Sequence, residues 1–315
     1  MLLSVIIPSY QHAEYVISCI LAAIEIPIQS KEIFVIDDGS SDNSPELLRT
    51  WVAAHPTIDC VHLVFHENRG LVSVLNEGLA AARGSYVYIV ASDDVPMPAG
   101  IGLLLQDLER NPNAKFAMGN ARAFLGDVNN PTKAWRTYGD SHQHFFNLSP
   151  IKRNSEIFLN YPVPILIQAS VFKKEALLSV GGWSAELAWD DFPLFVKLFN
   201  LYPKKNIDFI YSPDSLIVNY RQHENNSYRN LRKQVAIIVQ SLELLCPADL
   251  KAKAISRVYV RFSISAVKQM ELLYVVELIK MSLMTSGFKV TASQLLLSIW
   301  QLLGSRFLTL IKRSK

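Results

Sequence analysis

Short apolar runs alternate with amphipathic stretches over the first 120 residues of the chain. The apolar runs have the length of buried strands, and the stretches between them repeat their apolar positions with the period of a helix. The predicted strands cover residues 4–8, 32–36, 61–65 and 86–90. The predicted helices cover residues 13–24, 45–54, 71–82 and 100–109. This alternation predicts βαβ units, and therefore an α/β fold with a mostly parallel, Rossmann-like sheet covered by helices on both faces.

The pattern changes near residue 120 and again near residue 230. Residues 121–230 are less regular and are rich in Trp, Tyr, Pro and His, which is typical of a segment that shapes a substrate pocket. From residue 231 onward the apolar positions recur with a long helical period. We therefore predict a first domain over residues 1–230, in two parts that meet at residue 120, and a C-terminal helical region over residues 231–315.

Composition narrows the class of protein. Half of the residues are apolar, 19% are charged, and Gly and Pro together make up 28 of 315, which excludes collagen-like and disordered chains. The chain starts without a basic region ahead of the first apolar run, so we expect no secretory leader. The three cysteines are far apart and form no Cys-x-x-Cys pair. This usage favours a reducing, cytoplasmic compartment and argues against a structural zinc site.

Charge is distributed unevenly along the chain. Residues 231–315 hold 13 basic and 4 acidic side chains, a net charge of +9, whereas residues 1–230 hold 18 basic and 24 acidic ones, a net charge of −6. The uncharged run at 290–305 is 16 residues long, shorter than the ~20 needed to span a bilayer. We expect this basic, amphipathic region to lie on the inner face of a membrane. The alternative is that its apolar face packs on the first domain or on a second subunit.

Acidic residues follow two of the predicted strands. Asp37 and Asp38 come directly after the second strand, and Asp93 and Asp94 come shortly after the fourth. Ligands of parallel α/β sheets bind beyond the carboxyl ends of the strands. Carboxylates at that edge can accept hydrogen bonds from a base or a ribose, and they can hold a hard divalent ion. Each pair taken alone also fits a turn or a helix cap.

Two later segments of the chain contain further candidate catalytic or binding residues. Gly181-Gly182-Trp183 leads to Trp189-Asp190-Asp191 at the start of a helix predicted over residues 193–200. An acidic residue there either stabilises the helix dipole or acts as a general base. Arg221 and His223 then lie at the end of an apolar run, where they could contact a phosphate or a metal. The histidines at 62, 66, 142 and 144 are interpreted as ordinary.

Seven segments, in this order and spacing, resemble the family 2 glycosyltransferases, which are inverting enzymes of the GT-A fold that use nucleotide sugars. The resemblance covers about residues 2–230. The segments are Ser4-Val5-Ile6-Ile7-Pro8-Ser9-Tyr10, Val35-Ile36-Asp37-Asp38-Gly39-Ser40-Ser41-Asp42, Asn68-Arg69-Gly70, Asn76-Glu77-Gly78 through Ala82-Arg83-Gly84-Ser85-Tyr86, Asp93-Asp94, Trp189-Asp190-Asp191 and Arg221-x-His223.

The resemblance implies a GT-A domain over residues 1–230, with a nucleotide-sugar-binding half at 1–120 and an acceptor-binding half at 121–230. It implies that Asp38 accepts the N–H of a uracil ring, that Asp191 is the catalytic base with Asp190 as the alternative, and that the cofactor is Mn²⁺ or Mg²⁺. The residues it assigns to the metal are Asp94 and His223, and those it assigns to the nucleotide sugar are Pro8, Tyr10, Asp37, Asp38, Arg83, Asp93 and Arg221. Arg83 and His223 are expected to hold the diphosphate.

The chain departs from the family pattern in ways that bear on function. Ala91 stands where the first acidic residue of the metal motif is usual, and Asp190 replaces the usual Glu. The Gln-x-x-Arg-Trp signature of processive synthases is absent, which favours the addition of one sugar. We expect transfer from a UDP-sugar to a hydroxyl of a lipid-linked or cell-surface glycan precursor, with no nucleic-acid partner and with the C-terminal helices binding a membrane or a second copy of the chain.

Two other classes of protein remain open from the sequence. One is a catalytically silent nucleotide-sugar-binding scaffold in a polysaccharide assembly, which would have no use for a base at Asp191. The other is a sugar-phosphate nucleotidyltransferase. That class needs a Gly-rich loop after the first strand, where this chain has Pro8-Ser9-Tyr10-Gln11.

Overall fold

The computed structural model of the chain describes residues 2–161, 164–223 and 230–313, with side chains described as far as residue 298. The chain divides into two compact units, Met1–Asn154 with Pro162–Glu224, and Ser155–Tyr161 with Asn225–Lys315. Within the described ranges, none of the helices combines the length and the apolar character that crossing a bilayer requires.

The elements follow the predicted alternation closely. The strands are β1 (Leu3–Ser9), β2 (Lys31–Asp37), β3 (Val61–Phe65), β4 (Tyr86–Ile89), β5 (Val95–Pro96), β6 (Phe116–Gly126), β7 (Pro131–Arg136), β8 (Ser170–Lys173) and β9 (Phe209–Arg221). The helices are α1 (Val16–Ile24), α2 (Ser44–Ala54), α3 (Leu71–Ala81), α4 (Pro98–Arg110), α5 (Asp140–Asn147), α6 (Pro150–Leu159), α7 (Lys174–Ser179), α8 (Asp191–Leu201), α9 (Leu231–Leu245), α10 (Ala248–Lys268) and α11 (Leu272–Arg313), with a 3-10 turn at Ile167–Ala169. Every strand and helix predicted for the first 120 residues is confirmed to within three residues.

One curled sheet carries these strands in the order β3-β2-β1-β4-β8-β6-β9-β5, with β7 paired to β6. The strands β3, β2, β1 and β4 are parallel to their neighbours, as βαβ connections require. β8 joins β4 and β6 in antiparallel pairs, and β6 then pairs with β9 in parallel. The α/β fold with a parallel, Rossmann-like block is therefore confirmed, and the part built from residues 116–221 is mixed.

Strand register brings the acidic loops to one edge of the sheet. Ser9, the last residue of β1, is paired with Asp37, the last residue of β2. The N–H of Asp38 donates to the carbonyl of Ser9 at 2.8 Å, and the N–H of Ser92 donates to the carbonyl of Pro8 at 3.2 Å. The loops after β2 and β4 therefore both rest on the end of β1, although they are more than fifty residues apart in the chain.

A cluster of phenylalanines fixes α8 against the mixed part of the sheet. The Phe116 ring stacks on Phe209 with centroids 5.2 Å apart, and Phe199 of α8 contacts these rings at 5.8 and 5.2 Å. Phe195, one turn earlier in α8, lies 6.3 Å from Phe172. All five rings are at most 1% exposed. Burial of these rings sets the position of α8 and therefore of Asp191, its first residue.

In the described part of residues 230–313, the second unit contains α9, α10 and α11. The α10 and α11 helices pack through a buried chain of hydroxyls, in which Ser256 Oγ lies 2.6 Å from Ser282 Oγ and Ser282 Oγ lies 3.0 Å from Thr291 Oγ1. Gly287, at φ 76°, breaks α11 between Ser282 and Thr291. Gln294 is 2% exposed and accepts from Arg257 at 3.0 Å, so this polar position faces inward. The part of the uncharged run at 290–305 that follows residue 298 lies outside the described side chains.

Substitution of Phe199 by Ala is expected to destabilise the first unit by about 3–5 kcal/mol, because it leaves a cavity among the buried rings. The matched control is Leu201→Ala on the same helix, where the side chain is 51% exposed and the expected change is within about 0.5 kcal/mol. Urea unfolding followed by tryptophan fluorescence measures both. Similar unfolding midpoints for the two variants would show that the ring cluster does not anchor α8.

Candidate active site

Hydrogen bonds to the Asp37 carboxylate hold the loop after β2 in its shape. Asp37 is 1% exposed, and its carboxylate accepts from the N–H of Ser40 at 2.9 Å and from Ser40 Oγ at 2.7 Å. Gly39 turns the chain at φ 73°, and a Cβ there would lie 2.6 Å from the backbone nitrogen of Asn68. Asp37, expected to contact the nucleotide sugar, therefore has hydrogen bonds from its own turn on both carboxylate oxygens.

Asp38 joins the loops that follow β2 and β3. Its carboxylate accepts from the backbone N–H groups of Arg69 at 2.7 Å and Gly70 at 2.9 Å. His66, interpreted as ordinary from the sequence, lies 3.4 Å from Asp38 and 3.3 Å from Glu77. A carboxylate has about four acceptor positions, so Asp38 retains acceptor capacity beyond the two backbone bonds.

The loop after β1 presents Tyr10 at the same edge. Pro8 is buried within β1, whereas the Tyr10 side chain is 47% exposed. Gln11 ties this loop to its neighbour, since its N–H donates to Ser40 Oγ at 2.8 Å and its side-chain amide donates to Ser41 Oγ at 2.7 Å. The exposed Tyr10 ring therefore stands on a loop that two hydrogen bonds hold in place.

Asp93 lies among the imidazoles of His223 and His12. His223 Nε2 is 2.9 Å from Asp93 Oδ2, and His12 Nε2 is 3.8 Å from the same oxygen. One ligand atom from each of the three residues lies within 4.8 Å of the others, a grouping that could hold a metal ion. Burial raises the pKa of Asp93, but the hydrogen bond from His223 and the charges of both imidazoles outweigh burial and hold that pKa below its usual value.

Asp94 differs from its neighbour because its carboxylate is enclosed by the protein. It is 1% exposed, its Oδ1 accepts from the backbone N–H of Arg221 at 2.8 Å, and its Oδ2 accepts from the side-chain amide of Gln168 at 3.1 Å. Burial, with the negative charge of Asp93 beside it, raises the pKa of Asp94 well above its usual range. The two residues expected to hold the metal therefore have different surroundings. The structure brings His223 to Asp93, whereas it surrounds Asp94 with protein hydrogen-bond donors.

Arg221 clamps the turn that carries both carboxylates. Its Nε donates to the carbonyl of Asp93 at 2.8 Å, and its Nη1 donates to the carbonyl of Gly126 at 3.2 Å. The guanidinium lies 4.4 Å from the ring centroid of Tyr15 and 4.8 Å from that of Phe124, within the range of cation–π contacts. Arg221, expected to bind the nucleotide sugar, therefore contacts the protein on several sides and positions Asp93 and Asp94.

Asp191 is held by the 3-10 turn that also holds Asp94. The backbone N–H of Ile167 donates to Asp191 Oδ1 at 2.6 Å, and Gln168, the next residue, donates to Asp94. Burial, followed by the charge of Asp190, raises the pKa of Asp191 well above its usual range, against the hydrogen bond from Ile167. Burial also raises the pKa of Asp190. Two consecutive residues thus connect the expected base to the carboxylate pair.

The glycine pair ahead of α8 aligns this segment with α3. The side-chain amide of Asn76 donates to the carbonyl of Trp183 and accepts from its N–H, both at 2.9 Å. Gly182 has a φ of 59°, and a Cβ there would lie 2.5 Å from Asn76 Oδ1. Only glycine permits this approach, so Gly182 and Asn76 together fix where the chain starts toward Asp190 and Asp191.

The structure corrects the role expected for Arg83. Arg83 precedes β4, and its Nε donates to Glu32 Oε2 at 2.7 Å, next to Ser4 at the start of β1. This is the amino-terminal edge of the sheet, about 17 Å along β1 from the edge where the acidic loops meet. Arg83 therefore binds Glu32 and does not lie where it could hold the diphosphate.

Two residues of this site, His12 and Gln168, were not predicted from the sequence. His12 comes three residues after β1 ends, so the strand-end rule that found Asp93 could have found it as well. The amide of Gln168 lies in an irregular segment, and no local pattern indicated that it reaches Asp94.

Known proteins resemble this chain in sequence over part of its length and also in fold. Glycosyltransferase GlyG of Streptococcus pneumoniae is 32% identical over 120 residues, which is 38% of each chain. The poly-beta-1,6-N-acetyl-D-glucosamine synthase of Staphylococcus epidermidis is 26% identical over 203 residues, or 62% of this chain and 45% of the synthase. The matches thus extend over less than half the length of these curated relatives.

Two solved structures share the fold at low sequence identity. TarS 1–349 of S. aureus in complex with UDP-GlcNAc gives a TM-score of 0.60 at 15% identity, over 93% of this chain and 83% of TarS. The mannosyltransferase PcManGT of Pyrobaculum calidifontis in complex with GDP-Man and Mn²⁺ gives 0.58 at 17% identity, over 96% of this chain and 79% of that one. These likenesses confirm the GT-A fold expected from the sequence.

The family comparison covers most of the strands and loops that build the site. Residues 4–177, more than half of the chain, match the family described as Glycosyl transferase family 2. This range includes Asp38, Asp93, Asp94 and the 3-10 turn that holds Asp191. The chain therefore belongs to glycosyl transferase family 2.

Proposed function

We propose that this chain transfers one sugar from a UDP-sugar to a hydroxyl of a lipid-linked or cell-surface glycan precursor, with inversion at the anomeric carbon. The observation that carries the proposal is the shared 3-10 turn, which holds Asp191 through Ile167 and Asp94 through Gln168. A proton acceptor and a cluster of donor-side carboxylates are thereby joined in one rigid arrangement. A binding scaffold has no need of that link.

The names of similar proteins support this choice of substrates. One structural neighbour was solved with UDP-GlcNAc, and relatives of the chain include a poly-N-acetyl-glucosamine synthase and a chondroitin synthase of Escherichia coli. Both names state a glycan product, so a glycan acceptor is the natural proposal for this chain. A uridine donor is proposed on the same basis.

The donor site is proposed at the carboxyl edge of β1, β2 and β4. Tyr10, with its ring exposed, provides a surface for the base, and Asp38 provides acceptor oxygens for a ring N–H. Arg69 replaces Arg83 as the cation for the diphosphate, because the backbone of Arg69 is bonded to Asp38 at this same edge. Its guanidinium pairs with Glu77 at 2.6 Å across a half-exposed surface, where such pairs contribute little and exchange readily.

Asp93 and His223 are the residues proposed to hold the divalent ion. A carboxylate with a lowered pKa and an adjacent imidazole suit Mn²⁺ or Mg²⁺, and both reach the same point at the sheet edge. Asp94, first assigned as the direct ligand, is proposed instead to support Asp93, since both of its oxygens already accept protein hydrogen bonds. The ion supplies a Lewis acid that balances the charge of the leaving diphosphate.

Asp191 is proposed to take the proton of the acceptor hydroxyl. A hydroxyl is a poor nucleophile at neutral pH, and a positioned carboxylate that accepts its proton contributes ~10²–10⁴-fold to the rate. The raised pKa of Asp191 brings its basicity closer to that of the working solution. With the base on the acceptor side and the diphosphate on the other side of the sugar, one in-line displacement inverts the anomeric centre.

Asp191→Asn is expected to lower turnover at least ~10²-fold, because the near-isosteric amide cannot accept the proton. The measurement is release of UDP from UDP-sugars by the full chain with an acceptor glycan, with the anomeric configuration of the product read by NMR. UDP affinity, measured by calorimetry, should not change. Full turnover by Asp191→Asn, or a product that retains configuration, would contradict the mechanism.

Asp190→Asn tests the choice within the acidic pair and gives a pH signature. Asp191 works when ionised, so turnover falls as the pH drops through its pKa. Removing the negative charge of Asp190 lowers that pKa, because Asp190 is one of the groups that raise it. The acidic limb of the kcat profile should therefore move to lower pH while the plateau persists. A collapse of the plateau would assign the base to Asp190.

The second unit is proposed to dock on the inner face of a membrane. On α11 the side chains of Leu273, Val276 and Met284 are 88%, 67% and 78% exposed, and with Lys280 they recur at steps of three and four residues. They therefore share one face of the helix. Glu277, near this face, is paired with Arg232 at 3.2 Å. The net charge of +9 over residues 231–315 favours anionic lipid as the partner of this face.

Flotation of the full chain with vesicles tests the docking face. The wild type is expected to float with vesicles of phosphatidylserine and phosphatidylcholine, and less with phosphatidylcholine alone, because basic residues contribute ~1 kcal/mol each near anionic lipid. Leu273→Gln with Met284→Gln should float less. The control is Leu201→Gln, which changes an exposed leucine of α8 in the first unit. Equal flotation of all variants, or recovery of a stable dimer in place of flotation, would assign the face to another partner.

A further inference from the structure

A third potential ligand lies beside the two residues already proposed to hold the metal. His12 Nε2 is 3.8 Å from Asp93 Oδ2, and one ligand atom from each of His12, Asp93 and His223 lies within 4.8 Å of the others. At 3.8 Å the His12–Asp93 pair is too far apart for a hydrogen bond. His12 therefore faces the carboxylate without bonding to it, whereas His223 is bonded to that carboxylate at 2.9 Å.

Ser92 and Tyr15 hold His12 in this orientation. His12 Nδ1 is 2.8 Å from Ser92 Oγ, and Ser92 is fully buried. When Nδ1–H donates to that hydroxyl, Nε2 presents its lone pair toward Asp93. Metal-binding histidines characteristically use one ring nitrogen for the ion and the other for a fixed hydrogen bond. The Tyr15 ring packs against both imidazoles, with centroids 6.1 Å from His12 and 5.7 Å from His223.

The distances from Asp93 to the two imidazoles fit a six-coordinate ion. With metal–ligand bonds of about 2.1 Å, ligand atoms lie about 3 Å apart at right angles and about 4.2 Å apart across the ion. The separations of 2.9 and 3.8 Å from Asp93 fall in this range. Three protein ligands leave three positions, which suffice for diphosphate oxygens and water. Two imidazoles and one carboxylate arranged in this way form the donor set that favours first-row transition metals.

We propose that His12 is the third protein ligand of this site, and that the two-histidine, one-carboxylate donor set makes the chain select Mn²⁺ and other first-row transition ions over Mg²⁺. The inference rests on the proposed function only in placing a divalent ion at Asp93 and His223. Mg²⁺ prefers oxygen ligands, so two nitrogen donors discriminate against it. For a site with nitrogen donors the affinity should rise from Mg²⁺ through Mn²⁺ to Co²⁺.

The experiment measures metal binding to the full chain without nucleotide. Calorimetry gives the affinities for Mg²⁺, Mn²⁺ and Co²⁺, and pulsed electron paramagnetic resonance of bound Mn²⁺ detects coupling to imidazole nitrogens. His12→Asn should weaken Co²⁺ and Mn²⁺ binding at least ~10-fold and remove one of the nitrogen couplings. His12→Gln provides a second variant of different length. The matched control is His144→Asn, an exposed histidine on α5, which should bind every ion as the wild type does.

Several results would contradict the assignment of His12 as the third protein ligand. They are Mg²⁺ binding as tightly as Co²⁺, coupling to one imidazole only in the wild type, and an unchanged Co²⁺ affinity in both His12 variants. Sugar transfer separates this failure from failure of the proposed function. If the wild type transfers sugar with Mn²⁺ and stops in EDTA while His12 variants keep their Co²⁺ affinity, only the third ligand is wrong. Full transfer in EDTA would remove the metal site itself.

Discussion

Two adjacent carboxylates share one buried turn, and the rest of the site is arranged around that constraint. Burying a charged group without partners costs far more free energy than a typical hydrogen bond returns, so Asp93 and Asp94 must each be satisfied by other parts of the chain. Asp94 receives the N–H of Arg221 and the amide of Gln168, and Asp93 receives His223. Residues separated by more than seventy positions in the sequence therefore have to meet before the turn can exist.

This requirement explains why the two acidic segments, Asp93-Asp94 and Asp190-Asp191, are mechanically connected. Gln168 satisfies Asp94, and the neighbouring Ile167 satisfies Asp191, so a shift of the 3-10 turn would move both carboxylates. Arg221 fixes the opposite side of the turn through the carbonyl of Asp93 and the rings of Tyr15 and Phe124. The phenylalanine cluster then holds α8, so Asp191 is positioned from its own helix as well as from the turn.

The sequence predicted what depends on local pattern and missed what depends on distant contact. The period of apolar residues located the elements of the first 120 residues, and the rule that ligands gather beyond strand ends found Asp38, Asp93 and Asp94. Arg83 shows the limit of assigning a role from a motif alone. It precedes a strand and therefore lies at the amino-terminal edge of the sheet, away from the acidic loops. Gln168 could not be found locally, since its role exists only through a contact 74 residues away in sequence.

Of the three Asp-Asp pairs in the chain, Asp93-Asp94 and Asp190-Asp191 have surroundings that give them different chemistry. In the first pair the imidazoles keep the pKa of Asp93 low while burial raises that of Asp94, so one member is favoured as an anion and the other is not. In the second pair no imidazole is among the groups that shift the pKa of Asp190 or Asp191, and burial raises both. A carboxylate with a lowered pKa suits cation binding, whereas one with a raised pKa suits proton transfer near neutral pH. These two copies of the dipeptide are therefore suited to different purposes, because imidazoles lie beside Asp93 and none is among the groups that shift the pKa of Asp190 or Asp191.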